Sequence, residues 1–362
     1  MIFAALAGIF SIFAPLASAA APKVQLCWQY PMSDVVMTAM AVDTERVLVQ
    51  LDAGVLRSLR ISDGSEEWTA ELGGEIISDV VAADGRYYLV TRSIPLNGTG
   101  EPVAYLRSVS AETGLPGISI KVPAADDVSL VTTASSVIVI GSDGAFSAFD
   151  QAGGKIWNFT VGGSVSAAPR SNAENFTVGT SDKAVYRIAL ATGETVARIS
   201  GPSIPTSVSF GSDGIMYVGD DRGRIHYIDA ASGGVKWTFK SGGRIERLSR
   251  QRDSLLAVSV DNFIYSIDGN SGRVEWKRRL AGRILGDLAA GTDFIVGITN
   301  SSPQVLFMDP RNGNTLETLT LEGEERPVKA ALLNPNGTVV LTTTRGVAAY
   351  RLGTCEIEKA TS

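Results

Sequence analysis

The sequence predicts an all-β chain folded as an eight-bladed β-propeller, with four antiparallel strands in each blade. Three observations lead to this prediction. A glycine recurs in one local setting about every forty residues, a tryptophan follows many of these glycines at a fixed distance, and each unit holds short runs of strand type. A period near forty residues with four strands per unit is typical of a propeller blade.

The recurring glycine ends a polar turn between two apolar runs. Successive intervals are 50, 39, 40, 40, 39, 41 and 40 residues, so only the first departs from the period. Glycine suits such a turn because it adopts positive φ without steric cost. Eight such turns predict eight blades; they end at Gly64, Gly114, Gly153, Gly193, Gly233, Gly272, Gly313 and Gly353.

Four of the five tryptophans stand four residues after a repeat glycine. The pairs are Gly64 and Trp68, Gly153 and Trp157, Gly233 and Trp237, and Gly272 and Trp276. The fifth, Trp28, has no repeat before it, but its context LCWQY is similar to KIWNF and VKWTF.

The clearest unit spans residues 215–239, where three strand-like runs alternate with two tight turns. A weaker fourth strand is predicted to open each unit, for example over 164–168 and 284–289.

The two ends of the chain predict how the ring closes. The last unit stops just after its glycine turn and lacks an outer strand, whereas residues 24–30 form a spare strand. We therefore expect residues 24–30 to complete the blade of residues 325–357, which removes an exposed sheet edge. This closure would place Cys27 and Cys355 in neighbouring strands and predicts a disulfide in an oxidising compartment. The alternative is two unrelated buried thiols.

The N-terminus has the pattern of a secretory signal. Residues 2–16 form an apolar run, and the small residues Ala17, Ser18 and Ala19 follow as a cleavage site, although no Lys or Arg precedes the run. We expect a signal peptide over 1–19 and a single propeller domain over 20–362. The mature chain would be a monomer without a transmembrane segment, periplasmic or extracellular, with an association to the outer membrane as one option.

Composition argues against several function classes. The net charge is −6, and nucleic-acid binding needs a basic face. The single histidine, His226, leaves no histidine cluster for a metal, and it is interpreted as a packed strand residue. We therefore predict no catalytic residue, no cofactor and no metal site.

The unit GIMYVGDDRGRIHYIDAASGGVKW at 214–237 closely resembles the repeat of the pyrroloquinoline-quinone (PQQ)-like propeller family. The resemblance covers residues 24–357. It implies that the repeat glycines and tryptophans pack blades against one another. Members include quinoprotein dehydrogenases and a non-catalytic lipoprotein scaffold of outer-membrane protein assembly. The dehydrogenases often carry adjacent cysteines near the cofactor, and this sequence has none.

The expected function is a non-catalytic scaffold that binds a protein or peptide in the cell envelope, because no catalytic constellation is left over from the repeats. One alternative is a PQQ-dependent dehydrogenase-like enzyme, which would need carboxylates and amides around the channel mouth. Another is a binder of carbohydrate or envelope polymer, which would need exposed aromatic side chains.

Three residues are candidates for binding a partner. Arg244 and Arg283 belong to a run of basic residues and each lies between an outer strand and the next inner strand. Asn97 lies in the Pro/Gly-rich insert Ser93–Val103, which lengthens the second unit. Propeller geometry places these connections on one face. The alternative is that the basic residues are solvated charges scattered over two faces.

Overall fold

The chain forms eight antiparallel sheets arranged as the blades of a closed ring, as the sequence predicts. The computed structural model describes residues 23–32, 37–93, 101–211, 214–286, 288–333 and 337–355. The expected signal peptide therefore lies outside the described residues. One short 3-10 turn, Asp52–Gly54, accompanies the strands. No helix in the described ranges is long and apolar enough to cross a bilayer.

Each blade is numbered in chain order and its strands run from the channel outward. Blade 2 has a first strand split in two. The strands of blades 1 to 4 are β2 (Met37–Val42), β3 (Arg46–Leu51), β4 (Val55–Arg60) and β5 (Glu66–Glu71); β6 (Glu75–Ile76) and β7 (Val81–Ala83), β8 (Arg86–Ser93), β9 (Val103–Ser110) and β10 (Pro116–Val122); β11 (Val128–Thr132), β12 (Ser136–Gly141), β13 (Ala145–Asp150) and β14 (Lys155–Thr160); β15 (Val165–Ser171), β16 (Asn175–Thr180), β17 (Ala184–Ala189) and β18 (Thr195–Ser200).

Blades 5 to 8 follow the same order, except that the outer strand of blade 8 comes from the start of the chain. Their strands are β19 (Pro205–Phe210), β20 (Ile215–Asp220), β21 (Arg224–Asp229) and β22 (Val235–Lys240); β23 (Ile245–Gln251), β24 (Ser254–Ser259), β25 (Phe263–Asp268) and β26 (Val274–Arg279); β27 (Ala289–Ala290), β28 (Ile295–Ile298), β29 (Gln304–Met308) and β30 (Thr315–Thr320); β31 (Pro327–Leu333), β32 (Thr338–Thr343), β33 (Gly346–Leu352) and β1 (Val24–Pro31).

The hydrophobic core lies between blades. One buried cluster joins Ile138 and Trp157 of blade 3 to Phe176 and Tyr186 of blade 4. The first strands of neighbouring blades contact one another, including β31 with β2, so they surround the central channel. Strands in the middle of a blade are buried on both sides, whereas outer strands such as β14 alternate between exposed and buried positions.

The ring closes through β1, which pairs antiparallel with β33 from Val24 opposite Leu352 to Pro31 opposite Gly346. This confirms the predicted closure by residues 24–30. The structure also contains the predicted disulfide: Cys27 and Cys355 are bonded, with their Cα atoms 5.4 Å apart.

Cys27 occupies a β-bulge. In the β1–β33 ladder Leu26 pairs with Tyr350 and Trp28 with Ala349, so Cys27 is the extra residue between them. Six other outer strands have a bulge at the equivalent residue, one position before the tryptophan or its counterpart. These residues are Glu67, Ile156, Val196, Lys236, Glu275 and Leu316. The bond to Cys355 therefore uses an irregularity that the blade pattern already provides.

Five indole rings join neighbouring blades in one repeated geometry. Each ring covers the glycine turn of the next blade, and its N–H donates to the carbonyl three residues before that glycine, at 2.7 to 3.2 Å. The pairs are Trp28 with Gly64, Trp68 with Gly114, Trp157 with Gly193, Trp237 with Gly272, and Trp276 with Gly313.

The glycine and its covering tryptophan are thus in different repeat units. Gly64 and Trp68 are neighbours in sequence, but Gly64 lies under Trp28 of blade 8. Gly153 and Gly233 are covered instead by the aliphatic side chains of Ile120 and Ile199.

The first strand of blade 7 is shorter than predicted. The sequence predicts a strand over 284–289, whereas Ile284 makes only a single bridge to Thr299 and the strand is limited to Ala289–Ala290. Gly286 has φ of 71°, outside the range of a regular strand, and this interrupts the pairing.

Candidate binding face

The two sides of the ring carry different connections. On one side lie the turns between second and third strands and the crossings from each fourth strand to the next blade. We call this side the insert face, because the long connection between Ser93 and Val103 belongs to it. The opposite side, which carries the repeat glycines, is the glycine-turn face. Arg244 and Arg283 both lie in crossings on the insert face.

The structure brings Arg244 and Arg283 together on one carboxylate. Glu246 Oε1 lies 3.2 Å from Arg244 Nη2 and 3.5 Å from Arg283 Nη2. The arginine side chains are 49% and 53% exposed, whereas Glu246 is 18% exposed. Two cations share one anion, so the group keeps a net positive charge at the surface.

The backbones of both arginines are held in place. The Arg244 carbonyl accepts from Val260 N at 3.0 Å, and the Arg283 carbonyl accepts from Asn300 N at 3.0 Å. Glu246 was not among the residues predicted from the sequence. Glu246 could have been predicted as a neighbour of Arg244 from its position two residues later at the start of a strand. Residues at this spacing lie on the same side of a strand.

The third candidate, Asn97, lies outside the described residues. The ends of its connection, Ser93 and Val103, belong to blade 2, whereas Arg244 and Arg283 flank blade 6. Blades 2 and 6 are opposite in a ring of eight. The two ends of this connection therefore lie across the ring from the arginine pair, on the same face.

The basic run at 244–283 does not form a single surface. Arg247 and Arg250 are on the inner strand β23, Arg252 and Arg273 are in turns on the glycine-turn face, and Lys277, Arg278 and Arg279 are on the outer strand β26. Scattered charges, rather than a one-sided patch, describe this run.

His226 is part of a polar network that fixes a turn. Its Nε2 lies 3.4 Å from Asp220 Oδ2 and its Nδ1 lies 3.2 Å from the Thr238 hydroxyl. Asp220 also accepts hydrogen bonds from Arg222 N, Arg224 N and Arg224 Nε at 2.8 to 2.9 Å. The residues of the turn donate these hydrogen bonds to the Asp220 carboxylate. The contacts of His226 are thus explained by a role in fixing this turn.

The charge of Asp220 is stabilised by these contacts. Burial alone would raise the pKa of Asp220, but hydrogen bonds from the backbone and guanidinium of Arg224 and from the Ser203 hydroxyl outweigh it. The pKa of the folded carboxyl therefore lies below its ordinary value.

A quinone cofactor would need carboxylates and amides around the channel. The described first strands carry two carboxylates, Glu75 and Glu246, and arginines engage both. Within the described ranges, no three His, Cys, Asp or Glu residues lie close enough together to hold a metal ion. These residues do not fit the group that the dehydrogenases use.

Large apolar side chains that are exposed on the described surface are all aliphatic. Most belong to outer strands, and they comprise Leu26, Leu115, Ile156, Val196, Val235, Val274, Leu316 and Val328. Sugar binding by ring stacking needs an exposed aromatic face, so these residues do not provide that platform.

The sequence matches the family model described as outer membrane protein assembly factor BamB over residues 17–116 and 181–354, more than half of the chain. The chain belongs to this family. The match confirms the resemblance of the repeat at 214–237 to the PQQ-like propeller family. No sequence among the curated proteins matches the chain.

Many solved structures share this propeller fold, and two of them show the extent of the likeness. The computationally designed Ika8 protein is 15% identical with a TM-score of 0.74, and the comparison covers 90% of this chain and 99% of Ika8. BamB from Moraxella catarrhalis is also 15% identical with a TM-score of 0.66, covering 89% of this chain and 99% of BamB. At 15% identity the likeness establishes only the fold of this PQQ-like propeller. Its function has to be argued from its own residues.

Proposed function

We propose that this PQQ-like propeller is a non-catalytic scaffold of the cell envelope that binds a protein partner through its insert face at Arg244 and Arg283. The observation that carries the proposal is their convergence on Glu246, which leaves two half-exposed guanidinium groups side by side with excess positive charge. Arginine is suited to interfaces because its planar fork pairs with carboxylates in two parallel hydrogen bonds. The partner would present an acidic surface.

Family membership supports the envelope location and the assembly role, because the matching model is described as an outer membrane protein assembly factor. The apolar N-terminal run with its small-residue cleavage site supports export as a signal peptide over 1–19, with the propeller of 20–362 as the mature, monomeric product. The mildly acidic overall charge supports a protein rather than a nucleic acid as the partner.

The decisive experiment uses the tagged protein to capture its partner from the native envelope fraction. The same capture is repeated with a double charge-reversal variant, Arg244→Glu with Arg283→Glu. We expect the wild type to capture the partner and the variant to lose it. The matched control is Arg252→Glu with Arg273→Glu, which changes the same charge in the same blade on the glycine-turn face. Equal capture by both variants and the wild type would refute the binding face.

The dehydrogenase alternative has its own readout. It requires a bound quinone, so the absorbance spectrum of the purified protein after incubation with PQQ and calcium would change, and dye-linked oxidase activity would appear. We expect neither, because the carboxylates of the first strands are engaged by arginine.

A further inference from the structure

A second cationic site lies inside the ring, away from Arg244 and Arg283. A cavity of about 220 Å³ opens among the inner strands of blades 4 to 7. Arg170 of blade 4, Ser209 of blade 5 and Arg250 of blade 6 line it, together with Arg247 and apolar side chains that include Leu256 and Leu288.

Three neighbouring blades place their polar side chains at one height in this cavity. Arg170, Ser209 and Arg250 are each the next-to-last residue of β15, β19 and β23. First strands run from the insert face to the glycine-turn face, so all three residues lie toward the glycine-turn end of the channel. These three residues therefore lie at the opposite end of the inner strands from the arginine pair, and the cavity extends from them toward Arg247.

The cavity is rich in donors. Arg250 donates from Nε to the Arg252 carbonyl at 2.8 Å, which fixes its side chain. Its Nη1 lies beside Gly211 of blade 5, so the guanidinium reaches across the blade boundary. Among the described residues, neither Arg170 nor the Nη atoms of Arg250 have a hydrogen-bonding or ion-pair partner. Arg247, which also lines the cavity, donates to the Glu246 carbonyl at 2.8 Å.

The lining contains no matching anion among the described residues. Positive charge is concentrated here although the whole chain carries −6. Apolar walls such as Leu256 lower the local dielectric constant. The attraction between a guanidinium and an anion is therefore stronger in the cavity than in bulk water. Guanidinium groups with a neighbouring hydroxyl form the donor set that proteins use for carboxylate and phosphate.

We propose that this cavity is an oxyanion-binding site, in which Arg170 and Arg250 hold a carboxylate or phosphate group from opposite sides and Ser209 donates between them. The site does not rest on the partner-binding proposal, because it uses different residues at the other end of the channel.

The test is a thermal unfolding and calorimetric titration of the mature protein with inorganic phosphate and, in a second arm, with succinate. Sodium chloride at matched ionic strength is the control for screening. We expect at least one of the two anions to raise the melting temperature more than sodium chloride does, and the arm that responds identifies the ligand class. Absence of an effect in both arms would overturn the proposal.

Variants locate the binding. Arg170→Gln and Arg250→Gln should each weaken the affinity by roughly 10–100-fold, the value of a charge-assisted hydrogen bond. Arg273→Gln, an exposed arginine outside the cavity, should bind like the wild type. Because Arg170 is exposed, its variant keeps the test valid even if Arg250→Gln fails to fold. Wild-type affinity in Arg170→Gln would also overturn the proposal, whatever the outcome for Arg250.

Discussion

The indole ring of Trp28 lies directly on Gly64, so that a Cβ atom added to this glycine would be 2.5 Å from Cε3 of the ring. Trp28 belongs to the closing strand of blade 8 and Gly64 to a turn of blade 1. The indole N–H also donates to the Ile61 carbonyl at 2.7 Å. One side chain thus bonds the last blade to the first, with the same geometry that joins blades elsewhere in the ring.

Gly64→Ala should therefore destabilise the protein for two reasons. Its φ of +72° is unfavourable for alanine, at about 1–2 kcal/mol, and the new methyl group would displace the Trp28 ring, at roughly 1–3 kcal/mol more. Gly85→Ala is the matched control, since Gly85 has φ of +69° and no atom within 4 Å of the added methyl group. Urea denaturation of both variants separates the two costs. Equal destabilisation would mean that contact with Trp28 contributes nothing.

Removing the Cys27–Cys355 bond should lower the free energy of unfolding by about 6 kcal/mol in the loop-entropy model, because it closes a loop of 328 residues in the unfolded chain. Denaturant unfolding of Cys27→Ser with Cys355→Ser measures this loss. Wild-type protein treated with dithiothreitol should unfold at the same denaturant concentration as the double variant. A reductant effect that persists in the double variant would point to a different cause.

Asp220→Asn should destabilise the protein at pH 7 by about 1–3 kcal/mol, since it removes the charge that Arg224 and the turn amides bind. The folded pKa of Asp220 is lowered, so its contribution is present above the unfolded pKa of about 4 and is lost as the pH falls through the folded value.

The difference in stability between wild type and Asp220→Asn should accordingly shrink from pH 5 toward pH 2 in a series of denaturation curves. Asp221→Asn, at the exposed neighbouring position, is the control and should change stability little. A difference that stays constant over this range would contradict the assigned linkage.

Arg244→Ala and Arg283→Ala should each change the free energy of unfolding by less than about 1 kcal/mol, because ion pairs between half-exposed side chains contribute little. Thermal denaturation checks this directly. The result matters for the capture experiment, since loss of the partner can then be assigned to the binding face. Unfolding of either variant at room temperature would show that Glu246 and its arginines hold the crossing together.

Much of the architecture could be predicted because a blade repeats its chemistry at a fixed period. The glycine turns give the count, and the lone Trp28 before the first repeat gives the closure. The period cannot show which tryptophan covers which glycine, because that contact crosses a blade boundary: Trp28 reaches Gly64, not a residue of its own sheet.

The candidate sites were less predictable. The sequence places Arg244 and Arg283 in connections on one face, but it does not predict that both side chains contact Glu246. Arg170 and Arg250 are two blades apart, and nothing in the local sequence of Arg170 relates it to β23. Only the curvature of the ring brings their side chains to one cavity.

The pairing of β1 with β33 also has a consequence for how the protein is made. Among the strands, β1 is synthesised first and its pairing partner β33 is synthesised last. The β1–β33 ladder therefore cannot form until almost the whole polypeptide has been made. A chain interrupted anywhere before β33 cannot complete the circle. Ring closure therefore requires the polypeptide to be synthesised through β33. The Cys27–Cys355 bond then links the closing strand β1 to the segment that follows β33.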